Sequence, residues 1–265
     1  MRNVRGRGGA ASRLLVTALA VLSVALAGCN EKHENHGNLE GVWKLESPQT
    51  VLKSANPTQI PFTAQGRTAL QQNMAAAEKG DYSFDPTQMR CASPGLPRLM
   101  LTPMLIKIYQ RPQQVAMLFE WNRLLREIIM EGGPQLKNPM QEGMATGGGD
   151  VGTAKGTTTG HWEGETLVAH STKFSEQKLL DEFIPSSEDL QLTEHLRLKD
   201  SDTLEDRITI VDPQYFTQPW DAVLTYKRQS DTLYPFHEDV CLDRKHAGGL
   251  PLPAAVGQPG AIGKS

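Results

Sequence analysis

The sequence is poor in cysteine, in runs of basic residues and in long apolar segments. Three cysteines occur among 265 residues, and neither Cys91 nor Cys241 has a histidine beside it in a recognisable motif, which argues against a catalytic thiol. No Lys- or Arg-rich run follows residue 28, so binding to nucleic acid has no electrostatic support. The apolar stretch Leu14–Leu26 is too short to cross a hydrocarbon core of about 30 Å.

Motifs of several common chemistries are missing as well. No Gly-x-Ser-x-Gly motif occurs, which argues against an α/β-hydrolase. The run Gly147–Asp150 is not a phosphate loop, because neither Gly-Lys-Ser nor Gly-Lys-Thr follows it. Four histidines on separate predicted strands lack the spacing of metal ligands: His161, His170, His195 and His237. We therefore predict no metal and no cofactor.

The first 28 residues have the layout of a secretory signal. A positive segment with Arg2, Arg5, Arg7 and Arg13 precedes the apolar stretch, and small residues precede Cys29. The tetrapeptide Leu26–Cys29 resembles the lipobox of bacterial lipoproteins, in which signal peptidase cuts before the cysteine and the cysteine is acylated. The resemblance implies a mature chain that begins at Cys29 and is anchored in the membrane by lipid. Asparagine rather than aspartate after the cysteine favours the outer membrane, on its periplasmic side. Ordinary secretion with a chance Cys29 is the alternative.

With Cys29 lipidated, two cysteines remain in the mature chain. Because the periplasm is oxidising, Cys91 and Cys241 are predicted to form a disulfide bond, and two separate buried thiols are the alternative. The bond would close a loop of about 150 residues and stabilise the fold by up to roughly 5 kcal/mol on the chain-entropy model.

Composition divides the mature chain into three parts. Residues 29–38 are polar and predict a tether, residues 39–246 predict one β-rich domain, and residues 247–265 are rich in Gly, Pro and Ala and predict a disordered tail. Within the domain, Glu131–Gly156 has no periodicity and predicts a long loop that is either a functional lid or disordered.

One helix is predicted near the start of the domain, over Thr63–Lys79. Thr63 is a plausible N-cap, and Gly80 marks the end of the helix. The spacing of Leu70, Met74 and Ala77 predicts that these three side chains face the core.

Period-two patterns dominate the rest of the chain. The predicted strands are Met104–Gln110, Gln114–Trp121, Leu124–Glu131, Thr157–Trp162, Thr166–Thr172, Leu190–Lys199, Thr203–Val211, Trp220–Gln229 and Phe236–Cys241. Short turns join most of them. The fold class is therefore mainly β, an antiparallel meander that closes into a lipocalin-like barrel or a strongly curved sheet, with one N-terminal helix.

The hairpin over residues 190–211 carries two acids within an apolar pattern. Alternation places Glu194 among leucines on one face of the first strand, and Asp206 among leucine and isoleucines on the second. If both apolar faces point inward, Glu194 lies opposite Ile208, with Asp206 one diagonal away. On the predicted strand Leu124–Glu131, Arg126 shares one face with alternating apolar residues, so we expect its side chain to point inward too.

Buried carboxylates are costly unless they are paired or hydrated, so an Arg126–Glu194 pair is expected. Three roles are open for it: a structural ion pair, a group that orients a ligand, or an acid–base site that uses Glu194. Asp206 either joins this site or lies near the barrel rim. Phe119 and Trp121 serve equally well as core or as pocket lining.

Several segments together resemble a large, mostly uncharacterised family of secreted bacterial proteins. The matching segments are Leu39–Trp43, Phe62–Arg67, Arg90–Arg98, Leu118–Glu120, Trp162–Val168 and Asp202–Glu205. The first of them also looks like the lipocalin opening, in which a tryptophan two residues after a glycine closes the base of a barrel. The resemblance implies a β-rich, lipocalin-like domain but no established activity. Pro185-Ser186-Ser187 stands where members of the family often have Pro-His-Ser.

Three functions remain open at this level. The favoured one is a lipid-anchored periplasmic protein that binds an apolar or amphipathic small molecule in a cavity inside the barrel. The second is a periplasmic hydrolase or isomerase that uses Glu194. The third is an envelope-assembly lipoprotein that acts through an exposed apolar surface.

Overall fold

The computed structural model describes residues 36–56, 60–133, 153–175, 178–230 and 236–253. The predicted signal peptide, the predicted lipidation site Cys29, most of the predicted tether and the middle of the predicted 131–156 loop lie outside the described residues. Within the described part, no helix is both long and apolar enough to span a bilayer.

Nine strands close into a barrel, as the alternating patterns predict. The described part of the chain contains eleven strands, nine of which form the barrel; in chain order they are β1 Gly41–Leu45, β2 Leu105–Arg111, β3 Gln114–Phe119, β4 Leu125–Met130, β5 Thr157–Glu163, β6 Thr166–Thr172, β7 Lys178–Leu179, β8 Pro185–Ser186, β9 Gln191–Asp200, β10 Thr203–Val211 and β11 Trp220–Gln229. Around the barrel the order is β1-β11-β10-β9-β6-β5-β4-β3-β2, and β7 and β8 form a separate two-stranded sheet. The mainly β, barrel-forming fold class is confirmed.

One pair of neighbours departs from the predicted antiparallel meander. Strands β4 and β5 are parallel, with Ile128 opposite Thr158 and Met130 opposite Gly160. A closed sheet in which every neighbour is antiparallel needs an even number of strands, so nine strands leave one parallel pair. Parallel neighbours need a connection that returns along the strands. In the sequence, residues 131–156 join the two strands, and 134–152 of them lie outside the described part.

Among the described residues, three α-helices lie outside the barrel: α1 Ala64–Glu78, α2 Pro86–Arg90 and α3 Cys241–His246, with short 3-10 helices at Arg98–Leu101 and Trp121–Arg123. The strand predicted over Phe236–Cys241 is wrong, because 236–240 have no regular structure and α3 begins at Cys241. Its expected neighbour, β11, already pairs with β10 and β1. A closed barrel has no free edge to receive another strand.

Helix α1 begins as predicted and packs on a face that differs slightly from the predicted one. The Thr63 hydroxyl accepts a hydrogen bond from the Gly66 N–H at 3.0 Å. A Cβ on Gly66 would lie 2.3 Å from the Tyr215 carbonyl oxygen, so only glycine allows this approach. Contact through Gly66 rotates the helix so that Leu70 and Ala77 are half-buried, while Met74 is 44% exposed. The prediction that Met74 faces the core is therefore wrong.

The Gly-x-Trp opening of β1 has a clear physical basis. Trp43 is fully buried, and its indole N–H donates to the Leu39 carbonyl at 2.9 Å. The Arg228 guanidinium lies 4.2 Å from the centre of the Trp43 ring, a cation–π contact. Gly41 has φ +140°, and a Cβ there would lie 2.4 Å from the Arg228 guanidinium. Glycine at this position therefore lets arginine cover the tryptophan.

At the end of the barrel where β2 and β9 begin, other segments cover the core. We call this the capped end. The segment before β2 is buried there through Leu96, Leu99, Met100 and Leu101. The predicted disulfide is present: Cys91, which follows α2, is bonded to Cys241 of α3, with their Cα atoms 5.9 Å apart.

Residues 247–253 were predicted to belong to a disordered tail, but they pack on the domain. The Pro251 carbonyl accepts hydrogen bonds from the Trp121 indole at 2.8 Å and from Arg244 at 2.7 Å. These contacts extend the domain beyond the predicted boundary at residue 246. Residues 254–265 lie outside the described part.

Candidate functional site

The barrel interior contains the predicted ion pair. Glu194 lies opposite Ile208, as the hairpin pattern predicts. Strands β6 and β5 separate β9 from β4 in the barrel, so the Glu194 and Arg126 side chains meet across the interior. Arg126 Nη1 donates to Glu194 Oε1 at 2.9 Å, and Nη2 pairs with Oε2. Both side chains are at most 1% exposed.

Neighbouring polar groups hold the guanidinium in place. Arg126 Nη2 also donates to the Ser171 hydroxyl at 3.2 Å, and that hydroxyl is hydrogen-bonded to Thr158 Oγ1 at 2.8 Å. Burial by itself lowers the pKa of Arg126, but the adjacent Glu194 carboxylate outweighs burial, so this pKa is raised. Arg126 is therefore a permanent cation in an otherwise apolar interior.

Asp206 is the second acid that the sequence places inside. It is fully buried, and neither carboxyl oxygen accepts a hydrogen bond from any described residue. Burial and then the charge of Glu194 raise the pKa of Asp206 well above its ordinary value, although Arg126 opposes the change. The protonated acid has an O–H to donate, with the Glu194 carboxylate as its neighbour. The interior thus holds one ion pair and a second acid whose protonated form is favoured by its surroundings.

The interior does not form the predicted ligand cavity. Side chains around a ligand-sized hollow would retain accessible surface. Inward side chains on five barrel strands instead pack in one core cluster and are each at most 2% exposed: Met117, Ile128, Leu192, Leu196, Ile208 and Leu224. Phe119 and Trp121, predicted candidates for pocket lining, are each 1% exposed and belong to the core cluster. Among the described residues, Glu194, Arg126, Asp206, Phe119 and Trp121 therefore act as packed core.

A cleft of about 520 Å³ lies outside the barrel at the capped end. Helix α1 borders it through Ala69 and Asn73, and Phe84 lies in the loop that follows α1. Ser83 and Pro86 line it beside Phe84, and the remaining lining comes from Leu179 of β7, from residues 185–188, which lead into β9, and from 214–215, between β10 and β11. Five parts of the chain therefore meet around one opening, which we call the capped-end cleft.

A buried aspartate fixes the floor of the cleft. Asp212 is 1% exposed and accepts hydrogen bonds from the Ser187 N–H at 2.7 Å and the Ser187 hydroxyl at 2.9 Å. It also accepts the Gln214 N–H at 3.2 Å. On the helix side, Asn73 Nδ2 donates to the Phe183 carbonyl at 2.8 Å. These bonds tie α1, the segment before β9 and the β10–β11 connection together.

The side chains around the cleft are chemically mixed. The Ser186 hydroxyl is buried and has no hydrogen-bond partner among the described residues. Ser187, by contrast, is held by Asp212 and accepts the Asp189 N–H at 3.1 Å, so its hydroxyl has a structural role. Burial and then the nearby Asp212 raise the pKa of Tyr215, which keeps its phenol protonated. Apolar and hydrogen-bonding groups thus face the same space.

Sequence reasoning did not find this site. In the sequence, Ser186 and Ser187 stand out only because Pro185-Ser186-Ser187 departs from a pattern common in the resembling family. Asp212 does not stand out, because no local motif links it to Ser187. Strand alternation instead singles out Glu194, Asp206 and Arg126, which lie in the barrel interior. Among the described residues, no group of three or more His, Cys, Asp or Glu side chains is arranged to hold a metal.

Comparison with known proteins gave no relatives. No protein-family model matches the chain, and neither a curated protein nor a solved structure was found to be significantly similar to it. The functional argument therefore depends on the geometry of the chain itself.

Proposed function

We propose that the protein is a lipid-anchored periplasmic binding protein that holds an amphipathic small molecule in the capped-end cleft. The observation that carries the proposal is the cleft itself. Its volume of about 520 Å³ falls within the range of small-molecule sites, roughly 300–1,000 Å³. Leu179 and Phe84 offer apolar surface, and Asn73, Ser186 and Gln214 offer polar groups. Such a lining suits a ligand with an apolar body and a polar end.

The membrane address in this proposal comes from the lipobox-like Leu26–Cys29 segment. Several acyl chains on one cysteine exceed the two signals that stable anchoring needs. Mass spectrometry of the N-terminal peptide of the mature protein should find it to begin at Cys29 with acyl chains attached. The Cys29→Ser variant should be recovered without acyl chains, and an unmodified Cys29 in the wild type would contradict the anchoring.

The burial of Glu194 favours binding over the enzymatic alternative. A general acid or base must come within hydrogen-bond reach of the substrate. Glu194 is fully buried and bonded to Arg126, so its carboxylate is closed to a substrate in this conformation.

The test is to fill the cleft. Ala69 of α1 lines it, so an Ala69→Trp side chain would occupy the ligand space. Ala75 lies on the same helix and is exposed, which makes Ala75→Trp the matched control. Native mass spectrometry of protein purified from its own envelope should detect a co-purifying small molecule in the wild type and in Ala75→Trp, but not in Ala69→Trp.

Two results would contradict the proposal. One is a wild-type protein that carries no small molecule and binds none from an envelope lipid extract. The other is a molecule that Ala69→Trp retains as fully as Ala75→Trp does, since that molecule would occupy another site.

A further inference from the structure

Among the described side chains that line the capped-end cleft, the charged one is acidic. Glu188 lines the cleft and is exposed, and the described lining includes no lysine, arginine or histidine. Asp212 adds a second acidic group beneath Ser187. At Glu188 a cationic ligand would find an opposite charge, whereas an anionic ligand would be repelled.

Aromatic side chains in the cleft also favour a cationic ligand. Phe84 and Tyr215 both line the cleft and are both half-buried. The face of an aromatic ring attracts a cation, and recognition of quaternary ammonium groups commonly uses such rings together with a carboxylate. Apolar surface from Leu179 and Pro185 lies in the same cleft and is suited to the hydrocarbon part of a ligand.

We infer that the ligand of the capped-end cleft is an amphipathic cation, with an ammonium group held by Glu188, Phe84 and Tyr215. The inference rests on the proposed binding function and specifies the charge of the molecule that is bound. The buried Ser186 hydroxyl, which has no partner among the described residues, is available to a hydrogen-bonding group of the same ligand.

Three probes with the same short chain and different head groups test the inference: hexyltrimethylammonium, hexyl glucoside and hexyl sulfate. Each is titrated calorimetrically into the full chain held in lipid nanodiscs, with empty nanodiscs as the blank. We expect the cation to bind about tenfold more tightly than the glucoside, and the sulfate to bind most weakly.

Two variants test whether Glu188 causes the preference for the cationic probe. Glu188→Gln should weaken binding of the cation about threefold, the size expected for an exposed charge pair, and leave binding of the glucoside unchanged. Glu238 is an exposed glutamate outside the cleft lining, so Glu238→Gln is the matched control and should bind all three probes like the wild type.

The outcomes separate this inference from the proposed function. If the glucoside or the sulfate binds as tightly as the cation, and Ala69→Trp abolishes that binding, the charge inference is overturned while the binding function stands. Equal affinity of wild type and Glu188→Gln for the cation also overturns it. If no probe binds in a manner sensitive to Ala69→Trp, both the inference and the cleft as a binding site fail.

Discussion

Replacing Arg126 by methionine tests the reasoning about the barrel interior most directly. Methionine has a similar length and no charge, so Arg126→Met removes both hydrogen bonds to Glu194 and leaves that acid sealed among apolar side chains. Removing one partner of a buried ion pair typically costs about 3–5 kcal/mol, because the remaining charge has no compensation. For a domain of this size the melting temperature should fall by roughly 6–20 °C.

Two comparison variants show whether burial is the cause. Arg197 makes a similar cross-strand pair with Glu205 at 2.8 Å, but the Arg197 side chain is 56% exposed. Arg197→Met should therefore cost less than about 1 kcal/mol. The double variant Arg126→Met, Glu194→Leu removes both charges, and it should recover most of the loss because a buried pair adds little net stability over an apolar core.

Urea denaturation of the oxidised protein measures all four free energies of unfolding. The reasoning is refuted if Arg126→Met costs no more than Arg197→Met. It is also refuted if the double variant is as unstable as Arg126→Met alone, because the loss would then come from packing and not from an unpaired acid.

Three further predictions concern pH, the disulfide and one glycine. Because native Asp206 keeps a proton that an unfolded aspartate releases above pH 3.9 or so, stability should fall by about 1.4 kcal/mol per pH unit between that value and the raised pKa. Asp206→Asn should remove this slope, and an unchanged slope in urea titrations would contradict the assignment. The double variant Cys91→Ala, Cys241→Ala should lose up to about 5 kcal/mol, and a loss below about 1 kcal/mol would show that the bond constrains little. Gly66→Ala should destabilise by about 1–3 kcal/mol, because its Cβ would meet the Tyr215 carbonyl. A stabilised Gly66→Ala, the usual result within a helix, would show that the contact is not tight.

Features set by near neighbours in the chain were predictable. The Thr63 cap needs only a hydroxyl three residues before a free N–H. Strand alternation and a short turn place Glu194 opposite Ile208, because slipping by one residue would expose every leucine of the hairpin. The inward direction of Arg126 followed from the same period of two.

Features set by contacts between distant segments were not predictable in the same way. The interior was expected to be hollow, but whether side chains from nine strands fill a barrel depends on their packing and not on the pattern of any one strand. The capped-end cleft depends on Asp212 bonding to Ser187 and on Asn73 bonding to Phe183. Neither pair has a local signature, because each joins two segments that are far apart in the sequence.

The sequence by itself determined the β-rich class and the inward acids, since both follow from alternation between neighbouring residues. The one parallel strand pair and the outward position of the cleft were decided by the tertiary structure alone. Ring closure with nine strands imposes the parallel pair, and long-range hydrogen bonds assemble the cleft. Both depend on contacts between segments that are distant in the sequence, and no single segment specifies such contacts.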